Sequence, residues 1–106
     1  MSSPAIDPVL HPPARLQIAA ALARVDEIEF ALLREIADVS DSVLSKHLSA
    51  MADAGYVKLR KAKSDGRQRT WAAFTRAGTR AFADHMAALR ELASAAERAA
   101  ASGQNV

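Results

Sequence analysis

Four polar side chains, Ser42, Ser45, Lys46 and Ser49, recur at the three- and four-residue spacing that gathers them on one side of a helix. A solvent-facing helix normally carries Glu, Lys and Arg pairs there. Short hydroxyls let a helix approach a surface closely, and both they and an ammonium can bond to phosphates or to base edges. A second concentration of chemistry follows between positions 58 and 69. It holds six bases, Lys58, Arg60, Lys61, Lys63, Arg67 and Arg69, against Asp65 alone. The chain's formal charge is only +2, but a local basic cluster matters more to a polyanion than the net charge does. The plain alternative is an amphipathic helix with a serine-rich solvent face, followed by a solvated hairpin.

Other chemistries find less support. Ser45, His47 and Asp53 are the residue types of a hydrolytic triad, yet all fall on one helix, whereas a triad converges from separate elements. Glu27 and Glu29 read as solvated acids rather than a catalytic pair. The four glycines are not clustered into a phosphate loop. There are no cysteines. His11, His47 and His85 lie far apart with no ligand spacing. Neither an enzyme nor a metal or other cofactor is expected.

These groups need elements to position them. The 106 residues make one domain, and alanine supplies much of the apolar half, so a mostly helical, thinly cored fold is expected. No apolar run approaches membrane-spanning length, and the N-terminus lacks the features of a secretory signal. A cytoplasmic protein is the default. Positions 1–10 read as a loose tail and 11–101 as the domain, with 102–106 frayed. Helix 1 starts near Pro13 and carries Leu16, Ala19, Ala20 and Ala23 on one face and Ile18 and Leu22 on another. A short connector follows in which Ile28 and Phe30 alternate with acids, leaving room for a few residues of strand. Helix 2 spans 31–38 with Leu32, Leu33 and Ile36 as its apolar set. Helix 3 spans 41–54, capped by Ser40 or Asp41, with Leu44, Leu48 and Met51 inward and Gly55 to stop it. Positions 56–61 and 69–74 alternate as strands around an Asp65-Gly66 turn signal. The faces of the second strand stay open, and Trp71 either seals the base of the hairpin or packs on a partner. Thr75 can cap a last helix, 76–101, whose Phe82, Met86, Leu89, Ala93 and Ala96 repeat as a coiled seam.

In this order the chain resembles winged helix-turn-helix transcriptional regulators of the MarR and ArsR kind, most closely the short, single-domain MarR-like branch. The resemblance rests on Leu44-Ser45-Lys46-His47-Leu48, Ala54-Gly55-Tyr56-Val57, Arg69-Thr70-Trp71 and Phe74-Thr75-Arg76-Ala77-Gly78, with His11-Pro12-Pro13-Ala14-Arg15-Leu16 opening helix 1. It covers roughly positions 11–90. It implies a mainly α fold with a small β-hairpin wing. Helix 3 would enter the major groove of double-stranded DNA, the wing, 61–69, would lie on the backbone or minor groove, and the terminal helices would build a homodimer. Ser42, Ser45, Lys46 and Ser49 would then face the groove, and Lys61, Lys63, Arg67 and Arg69 would neutralise phosphates. His47 is divided between a helix–helix boundary and a phosphate contact. Leu16, Ala19, Phe82, Met86, Leu89, Ala93 and Ala96 would form the dimer interface. MarR proteins commonly bind a small aromatic effector between the dimerisation and DNA-binding parts; this chain is shorter than most, and its sequence names no effector. The competing class is a winged helix that docks an acidic protein partner.

Overall fold

The computed structural model describes residues 5–103. Among them run α1 (Pro13–Leu22), β1 (Ile28–Glu29), α2 (Phe30–Ala37), α3 (Asp41–Asp53), β2 (Val57–Ser64), β3 (Arg67–Phe74) and α4 (Arg76–Ala101). The expected mainly α fold with a hairpin wing is what forms. The three strands make one antiparallel sheet in the order β1-β3-β2.

Local chemistry accounts for the joints. α2 ends at Asp38, which takes the left-handed conformation at φ 54°. Asp tolerates that region because its short polar side chain can bond locally. Ser40 then caps α3, its hydroxyl accepting from the Val43 N–H. Positions 38–40 thus form the tight turn of a helix-turn-helix. Asp65 and Gly66 both take positive φ, 55° and 76°, as a two-residue type I′ hairpin demands. The turn is shorter and the strands longer than the sequence suggested, with Ser64 paired to Arg67. Thr75 caps α4 by accepting from the Gly78 N–H. Gly78 is needed for a different reason: a Cβ there would sit 2.0 Å from the Tyr56 carbonyl oxygen.

The core gathers Ile18, Ala19 and Leu22 of α1, Leu33 and Ala37 of α2, Leu44, Leu48 and Met51 of α3, and Ile28, Val57 and Ala72 of the sheet. The buried face of α3 is the one expected. Deleting a side chain such as Leu44 should cost about 2–5 kcal/mol. α2 departs from its expected face. Leu33 is buried, but Leu32 and Ile36 stay exposed, because Phe30 and Ala37 share the inward side with Leu33.

Two further expectations are corrected. Positions 5–10 are not a loose tail. Leu10 is fully buried. Asp7 accepts from the Tyr56 hydroxyl at 2.6 Å and from the Val9 N–H, and its own N–H donates to His85 Nδ1 at 2.9 Å. Positions 1–4 and 104–106 lie outside the described residues. Ala19, expected at a dimer interface, is completely buried in its own core, since α1 turns Ile18, Ala19 and Leu22 inward together.

α4 begins against the domain and then leaves it. Gly78, His85 and Ala88 are buried, and Phe82 packs beside Phe74. From Arg90 onward most residues are exposed. The chain measures 62 × 28 × 21 Å with a radius of gyration of 16.7 Å. A compact chain of this length would have about 13 Å. Among the described residues no helix is long and apolar enough to cross a membrane.

Candidate nucleic-acid interface

α3 buries Leu44, Leu48 and Met51 and turns Ser42, Ser45, Lys46 and Ser49 outward. Its N-terminus is tied to α2 by an Arg34–Asp41 ion pair at 2.7 Å. Both partners are exposed, so the pair orients more than it stabilises. Asp41 also lies at the positive end of the helix dipole. A cleft of about 490 Å³ separates α3 from the wing, lined by Ser45, Ser49, Phe30, Lys61, Arg67 and Arg69. The fold therefore brings the hydroxyls of α3 and the bases of the wing to one concave surface.

His47 resolves to the boundary position. It is half-buried, and its Nδ1 accepts from Arg15 Nε at 3.0 Å, while Arg15 Nη1 donates to the Val9 carbonyl. Desolvation, and then the Arg15 charge, hold its pKa below the usual histidine value. A neutral ring spent on Arg15 offers no charge to a phosphate. Nor does a triad assemble around it: Ser45, His47 and Asp53 share α3, and the ring nitrogen facing α1 is already bonded.

The wing's bases divide into two groups. Lys61, Lys63 and Arg67 form no ion pair among the described residues. Arg60 and Arg69 are held by the acids beside Ile28. Arg60 forks onto Glu27, Nη2 to Oε1 at 2.6 Å and Nε to Oε2 at 3.2 Å, and its guanidinium lies over the Trp71 ring, 5.8 Å from the centroid. That hydrogen bond is the main reason the Glu27 carboxyl titrates below its ordinary value. Trp71 thus lies half-buried opposite Arg60 on the neighbouring strand. Arg69 pairs with Glu29 at 2.7 Å, so it is not the unencumbered phosphate ligand expected of it. Glu27 and Glu29, expected as solvated acids, are instead paired with the wing's arginines. Their alternation around Ile28 was the available signal: on a strand beside β3 it turns both acids to the face of Trp71 and Arg60.

Folding also brings together histidines that looked unrelated. The His11 and His85 rings meet edge to face at 5.4 Å. Among the described residues no group of three or more His, Cys, Asp or Glu is placed to hold a metal ion.

A helix-turn-helix followed by a basic hairpin, with the second helix presented outward, defines a winged helix. The chain belongs to the winged helix DNA-binding domain family, its residues 14–93 matching that family. No protein of curated function matches it. Its fold is shared with solved transcriptional regulators. One is a transcriptional regulator homologue from Pyrococcus horikoshii OT3, 24% identical over 82% of this chain and 86% of that one, TM-score 0.76. A second is a MarR family regulator from Silicibacter pomeroyi DSS, 21% identical over 80% of this chain and 56% of that one, TM-score 0.64. A third is NadR in complex with 4-hydroxyphenylacetate, 22% identical over 86% of this chain and 67% of that one, TM-score 0.64.

Proposed function

We propose that this protein is a homodimeric transcriptional regulator that binds double-stranded DNA sequence-specifically, with α3 in the major groove and the wing on the adjacent backbone or minor groove. The observation that carries the reading is the shared concave surface. Ser45 and Ser49 line one side of it and Lys61 and Arg67 the other, with Ser42 and Lys46 exposed on the same helix and Lys63 exposed on the strand of Lys61. Side chains of α3 would read base edges, and the wing's cations would neutralise phosphates and set the register.

Assembly into a dimer is supported by α4. Its C-terminal half projects from the domain with Leu92 57% exposed and Ala93 and Ala96 beside it. A second copy would cover them, and two α3 helices would then meet successive major grooves about one helical turn apart. Leu16, Phe82, Met86 and Leu89, half-buried in one chain, would flank that interface. A mostly apolar cavity of about 460 Å³ between α1, β3 and α4, lined by Leu22, Val25, Phe74, Phe82 and Met86, has the character needed for a small aromatic effector such as the one NadR holds.

The test is binding to duplex DNA, with footprinting of the DNA that flanks the protein's own gene. Ser45→Ala with Ser49→Ala should leave the fold intact. It should reduce the preference for the protected site over random DNA by about 1–3 kcal/mol for each base edge no longer read. An unaltered preference would place sequence reading elsewhere. If no duplex binds and an acidic protein does, the wing is a protein-docking face.

A further inference from the structure

The two arginine–glutamate pairs of the wing differ in completeness. Glu27 engages Arg60 at two points, and the guanidinium is further covered by Trp71. Glu29 engages Arg69 at one point only, Nη1 to Oε1. Arg69 Nε is buried and has no acceptor among the described residues. Arg69 and Glu29 both line the cleft between α3 and the wing, together with Lys61, Arg67, Ser45 and Ser49. Glu27 and Arg60 do not line it.

Arg69 lines the cleft, so an anionic oxygen there can accept from the guanidinium that Glu29 engages at one point only. That oxygen would also lie near the Glu29 carboxylate and be repelled by it. Two anions thus contend for one guanidinium. The contest is local, because side-chain exposure at this pair is 29% for Arg69 and 25% for Glu29, against 53% and 38% for Arg60 and Glu27, and the more enclosed charges are screened less.

We propose that Glu29 is an internal counter-ion that competes with a DNA backbone phosphate for Arg69 in the α3–wing cleft. It thereby limits affinity for duplexes of any sequence and leaves discrimination to the side chains of α3. Glu29 acts as a specificity-determining residue without touching a base. This inference rests on the DNA-binding reading above.

The experiment measures binding of a fluorescent random-sequence duplex across a range of KCl concentrations. It compares the unmodified protein with Glu29→Gln, Glu29→Ala, Arg69→Gln, Glu29→Gln combined with Arg69→Gln, and Glu27→Gln. Glu29→Gln keeps the shape and an acceptor for Arg69 while removing the charge. It should bind several-fold more tightly, with a log–log salt slope steeper by about 0.9, the increment of one neutralised phosphate. Glu29→Ala should show the same direction. The gain should vanish when Arg69 is also Gln, and Glu27→Gln should gain clearly less. Unchanged or weaker binding by both Glu29 variants overturns the proposal. So does an equal gain from Glu27→Gln, which would reduce the effect to net charge. Failure of the unmodified protein to bind any duplex overturns the DNA-binding reading itself, and is seen before any variant is compared.

Discussion

Arg15 Nε donates to His47 Nδ1 at 3.0 Å, and this bond ties the middle of α3 to α1. Arg15 continues to the Val9 carbonyl, so α3, α1 and the N-terminal segment are joined through one guanidinium. His47→Ala should therefore lower stability by about 1–3 kcal/mol, the cost of leaving a partly buried charged donor unpaired. The salt dependence of DNA binding should stay unchanged. Lys46→Ala should do the reverse, lowering the salt slope with little effect on melting. A reduced slope in the His47 variant would return that residue to the phosphate ligands.

The wing makes the next prediction. Lys61, Lys63 and Arg67 carry charges that no described carboxylate neutralises. Lys63→Glu with Arg67→Glu should weaken binding to all duplexes alike and lower the salt slope by about one for each phosphate no longer neutralised. Titration of one duplex at several salt concentrations measures both. Equal affinity and slope for variant and parent would remove the wing from the interface.

Assembly can be separated from folding because the projecting half of α4 stands clear of its own domain. Leu92→Glu with Ala93→Glu should leave the monomer folded, as neither side chain belongs to the core. It should convert a dimer to monomer in sedimentation, and specific DNA binding should fall much more than nonspecific binding, since one half-site offers too few base edges for selectivity. A parent protein that is monomeric at tens of micromolar and still binds one half-site tightly would sink the idea.

A pH dependence follows from His85. Its Nδ1 accepts from the Asp7 N–H, which requires the neutral ring. The groups facing it are His11 and Asp7, itself bonded to Tyr56. Burial first, and the His11 charge second, hold its pKa below the ordinary value, with Asp7 opposing. The unfolded chain therefore takes up the proton at higher pH than the folded one. Stability is intact above the unfolded value of about 6.5 and is lost as pH falls below it. Melting temperature should drop between about pH 7 and pH 5. His47, shifted the same way, adds to the drop, so His85→Gln should flatten it only in part. A melting temperature constant over that interval would show that the ring is not held neutral.

The sequence by itself determined what depends on residues within about four positions. Ser40 and Thr75 as caps, Gly55 as a stop, Asp65-Gly66 as a turn and Leu44, Leu48 and Met51 as a buried stripe are all local matters of hydrogen bonding and periodicity, and each stands in the fold as expected. The order of these elements was enough to indicate a winged helix. The tertiary structure alone decided which charges are spent inside the molecule. Glu27 meets Arg60 across 33 positions and Glu29 meets Arg69 across 40, and the backbone N–H of Asp7 meets the neutral His85 ring across 78. Local spacing puts Glu27 and Glu29 on one face of a strand but does not name their partners. These pairings exist because β3 lies between β1 and β2, and because α4 packs against the N-terminal segment. The same long-range packing buried Ala19 and left Leu32 exposed, since periodicity identifies an apolar face but not the neighbour that covers it.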